Sequence, residues 1–481
     1  MSKSRKRLFI TILVLILLVL LLPISNLFVS KPETNAISAI EAHDEAFAQA
    51  KDVLSQKCAD CHSEDYVLPM YAFIPGVRGL LENDIQTGLA YMDMALALQS
   101  EEGQPVSEVA LAKLEQSLSD GSMPPKPYLA LHWNGALSET DREAVISWIH
   151  SVRSSHYATG TAAAQFANNM IQPVPDSVEA DPAKVALGNK LFHDTRLSGD
   201  DTVSCASCHA LDKGGTDRLQ FSVGVGDAVG GINSPTVFNA GLCFVQFWDG
   251  RAADLREQAD GPVNNPIEMA SNWDEVCTKL NEDAAFIAEF NAVYPEGPSK
   301  DSMIDAIATF ESTLVTPNSK FDRYLKGDSE ALNAQELEGY HTFQQFGCAT
   351  CHVGKSMGGQ SFEKMGRKKD YFAGRELTDA DKGRFNVTKD EADLHKFKTP
   401  ILRNVALTAP YLHDGSTSDL GEVIQIMAEY QMGRTMTPQQ VAAVEAFLNA
   451  QTGEYQGALV QYPEFYGRVV TARPALFYFS G

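Results

Sequence analysis

Three Cys-x-x-Cys-His motifs stand in the chain: "KCADCH" ending at His62, "SCASCH" at His209 and "GCATCH" at His352. Two cysteine sulfurs at this spacing form thioethers to a porphyrin, and the histidine that follows ligates its iron. Each motif therefore reads as an attachment site for haem c, three in all. Cys58, Cys61, Cys205, Cys208, Cys348 and Cys351 are thereby accounted for, six of the eight cysteines. A structural zinc site draws four ligands from paired motifs; three separate units that each end in histidine do not fit one. Cys243 and Cys277 are left over, and in an oxidising compartment a disulfide between them or two unrelated thiols are both open.

The motifs need elements to hold them. His62 and His209 are 147 residues apart, and His209 and His352 are 143 apart, an interval that suits one small domain per haem. Helical periodicity dominates between loops and no long alternating strand pattern appears. The expected fold is all-α: three class I cytochrome c-like haem domains with long loops, preceded by one N-terminal transmembrane helix. "AISAIEAHDEAFAQAKDVLSQKCADCH" is helical in pattern and leads into the first motif, and Ser138 with Asp141 forms an N-terminal cap for a closing helix. Between them, "GSMPP" puts Met123 in a proline-rich loop. A thioether sulfur stabilises ferrous iron, so Met123 is the candidate sixth ligand of the first haem, with Met70, Met92, Met94 and His132 as competitors. The small, polar stretch 154–182 reads as a linker.

Lys3, Arg5, Lys6 and Arg7 precede an uncharged run from Leu8 to Ser30, long enough to cross a bilayer with its basic flank in the cytoplasm. A cleaved signal peptide is the alternative, but no small-x-small site follows promptly. The expectation is a single-pass protein of the bacterial inner membrane with its haem domains in the periplasm, where c-type haem is attached. A net charge of −23 excludes nucleic acid as a partner, since phosphate binding needs basic patches.

From residue 187 to about 440 the chain resembles the bacterial dihaem cytochrome c peroxidase family, which includes the MauG-type enzymes. "LGNKLFHDTRLSGDDTVSCASCH", "NSPTVFNAGLCFVQFWDGRAADLREQADGPVNNPIEM", "TPNSKFDRYLKGD" and "TPILRNVALTAPYLHDG" carry the resemblance. The extra haem unit and anchor are similar to its trihaem, membrane-anchored branch, which includes quinol peroxidases. The resemblance implies that peroxide reacts at the iron held by His209, while the iron held by His352 delivers electrons with Met427 as its sixth ligand. Met427 also falls on an apolar helical stripe with Leu420, Val423 and Ile424, where core packing is the plain alternative. The resemblance further implies Glu268 in "NNPIEM" as the distal proton-moving carboxylate, Gln258 in "REQADGP" as the amide beside it, and Trp248 in "FWDGR" between the two haems. It implies a Ca2+ ion held by the Asn233 side chain and the carbonyls of Thr408 and Pro410. The implied organisation is 1–30 as flank and anchor, 31–165 as a donor haem domain, 166–318 as the peroxidatic domain and 319–481 as the electron-transfer domain.

One position departs from the family. Many members carry a histidine sixteen residues after the peroxidatic haem ligand, and it caps the iron in the oxidised enzyme. Here "SVGVGD" puts Val225 at that place, and valine has no lone pair to offer. His193 is a conceivable substitute, although its place on the domain's opening helix favours a structural role. The expectation is a peroxidase that reduces hydrogen peroxide to water, with membrane quinol or a periplasmic cytochrome c as donor and a homodimer left open. The alternative is a non-enzymatic electron-transfer cytochrome or a peroxide sensor. Glu268 with Gln258 favours the enzyme.

Overall fold

The computed structural model describes residues 34–99 and 104–460, with scattered positions before residue 34, and the side chain of Met70 is outside the description. The run from Leu8 to Ser30 lies for the most part outside the described residues. Among those described, no helix is long and apolar enough to cross a membrane. The chain divides into two compact units. One is residues 1–172 with 349–354; the other is 173–348 with 355–481.

In the first unit, α1 (Glu45–Lys57) runs into α2 (Ala59–His62), which holds the first haem motif. Asp44 caps α1 by accepting from the Phe47 amide at 2.7 Å. α3 (Val77–Tyr91) and α4 (Glu108–Ser119) follow, and α5 (Glu139–Val152) closes the unit against α1. The predicted cap of α5 is a full capping box: Asp141 N–H donates to Ser138 Oγ at 3.1 Å and Ser138 N–H donates to Asp141 Oδ2 at 2.8 Å, which satisfies two otherwise orphaned donors. Phe47 and Trp148 meet at 5.3 Å in the core between α1 and α5. The stretch read as a linker is built differently. Arg153 is fully buried, paired with Glu115 at 2.7 Å and donating to the Asn168 carbonyl at 2.6 Å. Ile171 and Gln172 are also fully buried. Small polar residues suit a flexible linker, but here their side chains satisfy the backbone locally, as when Gln172 donates to the Asn169 carbonyl at 2.9 Å.

The second unit uses one helix crossing twice. α6 (Pro182–Phe192) packs on α9 (Lys300–Ser312), and α10 (Ala334–Gln345) packs on α12 (Pro438–Asn449). A Cβ on Gly188 would overlap the Ala306 carbonyl and crowd Phe310; a Cβ on Gly339 would overlap the Ala443 carbonyl and crowd Phe447. Only glycine allows helix backbones this close. Between these pairs lie α7 (Cys205–Cys208), α8 (Leu255–Asn264) and α11 (Leu420–Ile426). The unit is helix-rich but not wholly helical. β1 (Phe362–Lys364) pairs antiparallel with β2 (Lys396–Lys398), and β3 (Glu454–Tyr455) with β4 (Ala458–Leu459). Runs of two or three residues are too short to show an alternating pattern.

Candidate functional site

The histidine of the first motif is set as an iron ligand needs. Nδ1 of His62 lies 2.9 Å from the Met92 carbonyl. A carbonyl only accepts, so Nδ1 carries the proton and the Nε2 lone pair is free for a metal. Burial holds both His62 and His209 below their ordinary titration range, which keeps the imidazoles neutral, the form that ligates. Nδ1 of His209 is buried beside the backbone of Gly215 and Pro235, without a hydrogen bond of good geometry. These residues fit haem c. His352 lies half-buried in the 349–354 segment of the first unit. No disulfide joins Cys243 and Cys277.

Beside the middle motif stands a half-buried carboxyl, Glu268. α8 starts at Asp254, which accepts from the Glu257 amide at 2.8 Å, and carries Gln258 half-buried on its second turn. The chain then turns sharply through 265–270. Within this turn Asn265 Nδ2 donates to Glu268 Oε1 at 2.7 Å. Burial raises the Glu268 carboxyl above its ordinary range, opposed by the charge of Arg251 and the bond from Asn265. Burial also raises the Cys208 thiol, and the charges of Asp217 and Glu268 add to it. Asn265 and Arg251 escaped notice in the sequence, although Asn265 sits three residues before Glu268, the spacing of a turn-bridging pair.

Val225 belongs to the same neighbourhood. Its N–H donates to the Glu268 carbonyl at 2.9 Å, and its side chain packs with Val203, Val263 and Met269. The hairpin around it is closed by Gly224 N–H to the Ala228 carbonyl at 2.7 Å and Gly230 N–H to the Ser222 carbonyl at 2.9 Å. A Cβ at Gly224 would strike the carbonyls of Ile267 and Glu268. His193 ends α6 with Nδ1 against the Asn189 carbonyl at 2.9 Å, a helix-terminal bond.

Trp248 and Met427 are brought together. Both pack against the cluster of Met365, Phe372 and Phe397. Trp248 Nε1 donates to the Asn233 carbonyl at 2.8 Å and its ring meets Phe397 and His413 edge-on at 6.4 and 6.5 Å. His413, unmarked in the sequence, is buried and pairs with Asp381 at 2.8 Å. Met427 follows α11 at the head of a wider turn, Met427–Gln431. Asn233 is 7% exposed. Its N–H donates to the His413 carbonyl at 2.8 Å and its Nδ2 to the Leu219 carbonyl at 3.0 Å, which leaves Oδ1 as its acceptor end. Among the described residues no group of three or more His, Cys, Asp or Glu side chains forms a metal cluster.

In the first unit, Met123 is half-buried in the loop after α4. His132 has both ring nitrogens engaged, Nε2 with Tyr71 Oη at 2.9 Å and Nδ1 with the Tyr128 carbonyl at 3.0 Å. Met92 and Met94 are buried in the core cluster of this unit.

Residues 182–330 match the family model described as di-haem cytochrome c peroxidase, and residues 15–151 match that of a haem-binding domain. The cytochrome c peroxidase Ccp of Escherichia coli (strain K12) is 47% identical over 400 residues, covering 83% of this chain and 86% of that one. The cytochrome c551 peroxidase of Nitrosomonas europaea is 43% identical over 295 residues, covering 61% and 87%. Among solved structures, a MauG-like protein associated with microbial copper homeostasis aligns with a TM-score of 0.53 at 28% identity, over 57% of this chain and 91% of that one. The protein is a haem peroxidase. It belongs to the di-haem cytochrome c peroxidase family.

Proposed function

We propose that this chain reduces hydrogen peroxide to water at its middle haem motif. The observation that carries the reading is the half-buried Glu268 carboxyl, hydrogen-bonded by Asn265, with its charge felt at Cys208. When bound, three haem c groups supply the reacting iron and a relay of electrons from quinol or a cytochrome c through the N-terminal and C-terminal groups to the middle one. Cleavage of the O–O bond needs a proton moved from one oxygen to the other. Glu268 takes that proton as a carboxylate and returns it as an acid, while Gln258 orients peroxide by hydrogen bonding. Trp248 fills the space on the electron-entry side and lies in the same apolar cluster as Met427.

The ligand set of this reading is His62 with Met123, His209 alone, and His352 with Met427. The engaged nitrogens of His132 support Met123 for the first haem. A methionine at 427 sets the chain apart from MauG-type chemistry, for which a tyrosine is implied at that place. Oδ1 of Asn233 and the carbonyls of Thr408 and Pro410 would hold Ca2+, a hard cation that takes oxygen ligands. Leu8 to Ser30 would anchor the chain in the inner membrane with its haem domains in the periplasm. Carrying the N-terminal haem domain on the same chain replaces a diffusing cytochrome donor by an intramolecular one at high effective concentration. The test is steady-state peroxide consumption by the purified full-length chain, with a quinol analogue and reduced cytochrome c compared as donors. Absence of turnover with either donor would remove the reading.

A further inference from the structure

Glu311 is a buried acid that nothing in the peroxide chemistry uses. It lies near the end of α9, 5% exposed, among Ile307, Ala308 and Phe310. Its Oε2 is buried with no hydrogen-bond partner. Phe310, the next residue back, belongs to a core cluster against which Cys205 packs. The charge of Glu311 reaches the Cys205 thiol and adds to the rise that burial causes there.

A carboxyl with no partner in an apolar interior is costly as an anion. Burial alone pushes Glu311 up to about 8; no charged side chain on the helices packed against α9 contributes. The acidic and basic groups nearest along α9, Asp305 with Lys184 and Arg256, pair with one another instead. Cys205 is the single titratable group found acting with it, and it ceases to titrate once it becomes a thioether. The charge left to face Glu311 is then that of the haem attached at Cys205. Ferric haem carries one more positive charge than ferrous haem, and such a difference is felt strongly at low dielectric.

We propose that Glu311 is a proton-binding site coupled to the redox state of the middle haem. One proton from solvent joins its carboxylate as one electron reaches that iron, and the proton leaves when the electron does. The donor of the electron is the chain's own reductant or a chemical titrant. The inference rests on the reading that the middle motif holds haem c, and it does not need peroxide to be the substrate. The sign follows: reduction favours the protonated acid, so a rising pH disfavours reduction.

Redox titration of the full-length holoprotein at pH values on both sides of 8 tests this. The middle haem is the wave absent from a variant carrying Cys205→Ala and Cys208→Ala. Its potential is expected to fall with pH by up to about 59 mV per tenfold change in proton activity for a one-electron couple. Glu311→Gln should flatten that slope and leave the other two haems unmoved. A pH-independent potential in the unmodified protein, or the same slope in the variant, overturns the proposal. If Glu311→Gln fails to take up haem, redox-difference infrared spectra of the unmodified protein decide. A protonated-carboxyl band that grows on reduction supports the site, and its absence overturns it. Peroxide turnover measured on the same preparation separates the two ideas, since a protein that fails to reduce peroxide but keeps the slope loses the proposed function only.

Discussion

The Val225 amide donates to the carbonyl of Glu268 at 2.9 Å. The loop that the family resemblance aligns with a capping histidine is thus hydrogen-bonded here to the turn that carries Glu268. Val225 packs a half-buried side chain against the core, and valine has no lone pair with which to ligate iron. A cap that must leave before substrate enters is a two-state switch, and with valine at 225 the expectation is a chain without the competing state. The oxidised protein should show a high-spin ferric EPR signal and bind cyanide without prior reduction. Low-spin signals alone, with activity only after reduction, would mean another residue caps the iron. Gly224 abuts the Ile267 and Glu268 carbonyls, so Val225→His should not restore a cap without disturbing the Glu268 turn.

Glu268→Gln should lower peroxide turnover roughly 10²-fold or more, the contribution of a positioned acid–base group, with haem content unchanged. Asn265→Ala is the subtler variant. The Asn265 bond opposes the rise that burial imposes on Glu268, so its loss lets the carboxyl rise further. Glu268 must begin the cycle ionised; hence the acid limb of the pH–rate profile should move to higher pH. An unmoved limb would show that a different group sets it.

Replacing Met427 or Met123 by alanine should each remove one His/Met spectral signature and lower the potential of one haem. The two effects should fall on different haems. Three intact spectra after Met123→Ala would place the ligand elsewhere, with Met92 and Met94 the buried thioethers among the described residues of that unit.

Gly188→Ala and Gly339→Ala push a methyl group into a helix backbone on the opposite strand of the crossing. Each should destabilise the protein by roughly 1–3 kcal/mol or more, the usual cost of overpacking, read from denaturant midpoints. A wild-type midpoint in either variant would mean that the helices can part without loss.

The haem motifs were legible because their chemistry fixes both residue type and spacing. The cap at Ser138 was legible for the same reason, being a short-range contract between two side chains. Arg153 and the hydrogen-bonded pair of Asp381 with His413 were not. Each takes its role from partners 15 to 38 residues away or nearer in space than in sequence, and composition alone calls such stretches loop or linker. Glu311 was hidden for another reason. On a helix of otherwise apolar inward positions, one glutamate looks like the polar face, and only the packing of α9 shows that it points inside.

The twin crossings, glycine on one helix against an alanine carbonyl and a phenylalanine on the other, recur at 188 with 306 and 310 and at 339 with 443 and 447. A backbone contact repeated in this way gives the two halves one shared geometric tolerance. Division of labour between them then resides in what hangs from the frame: a hairpin with Val225 and a turn with Glu268 on one copy, a helix end with Met427 on the other. Exchanging those appendages between copies, with the crossings untouched, is the natural route by which such a chain would trade a reactive iron for a conducting one.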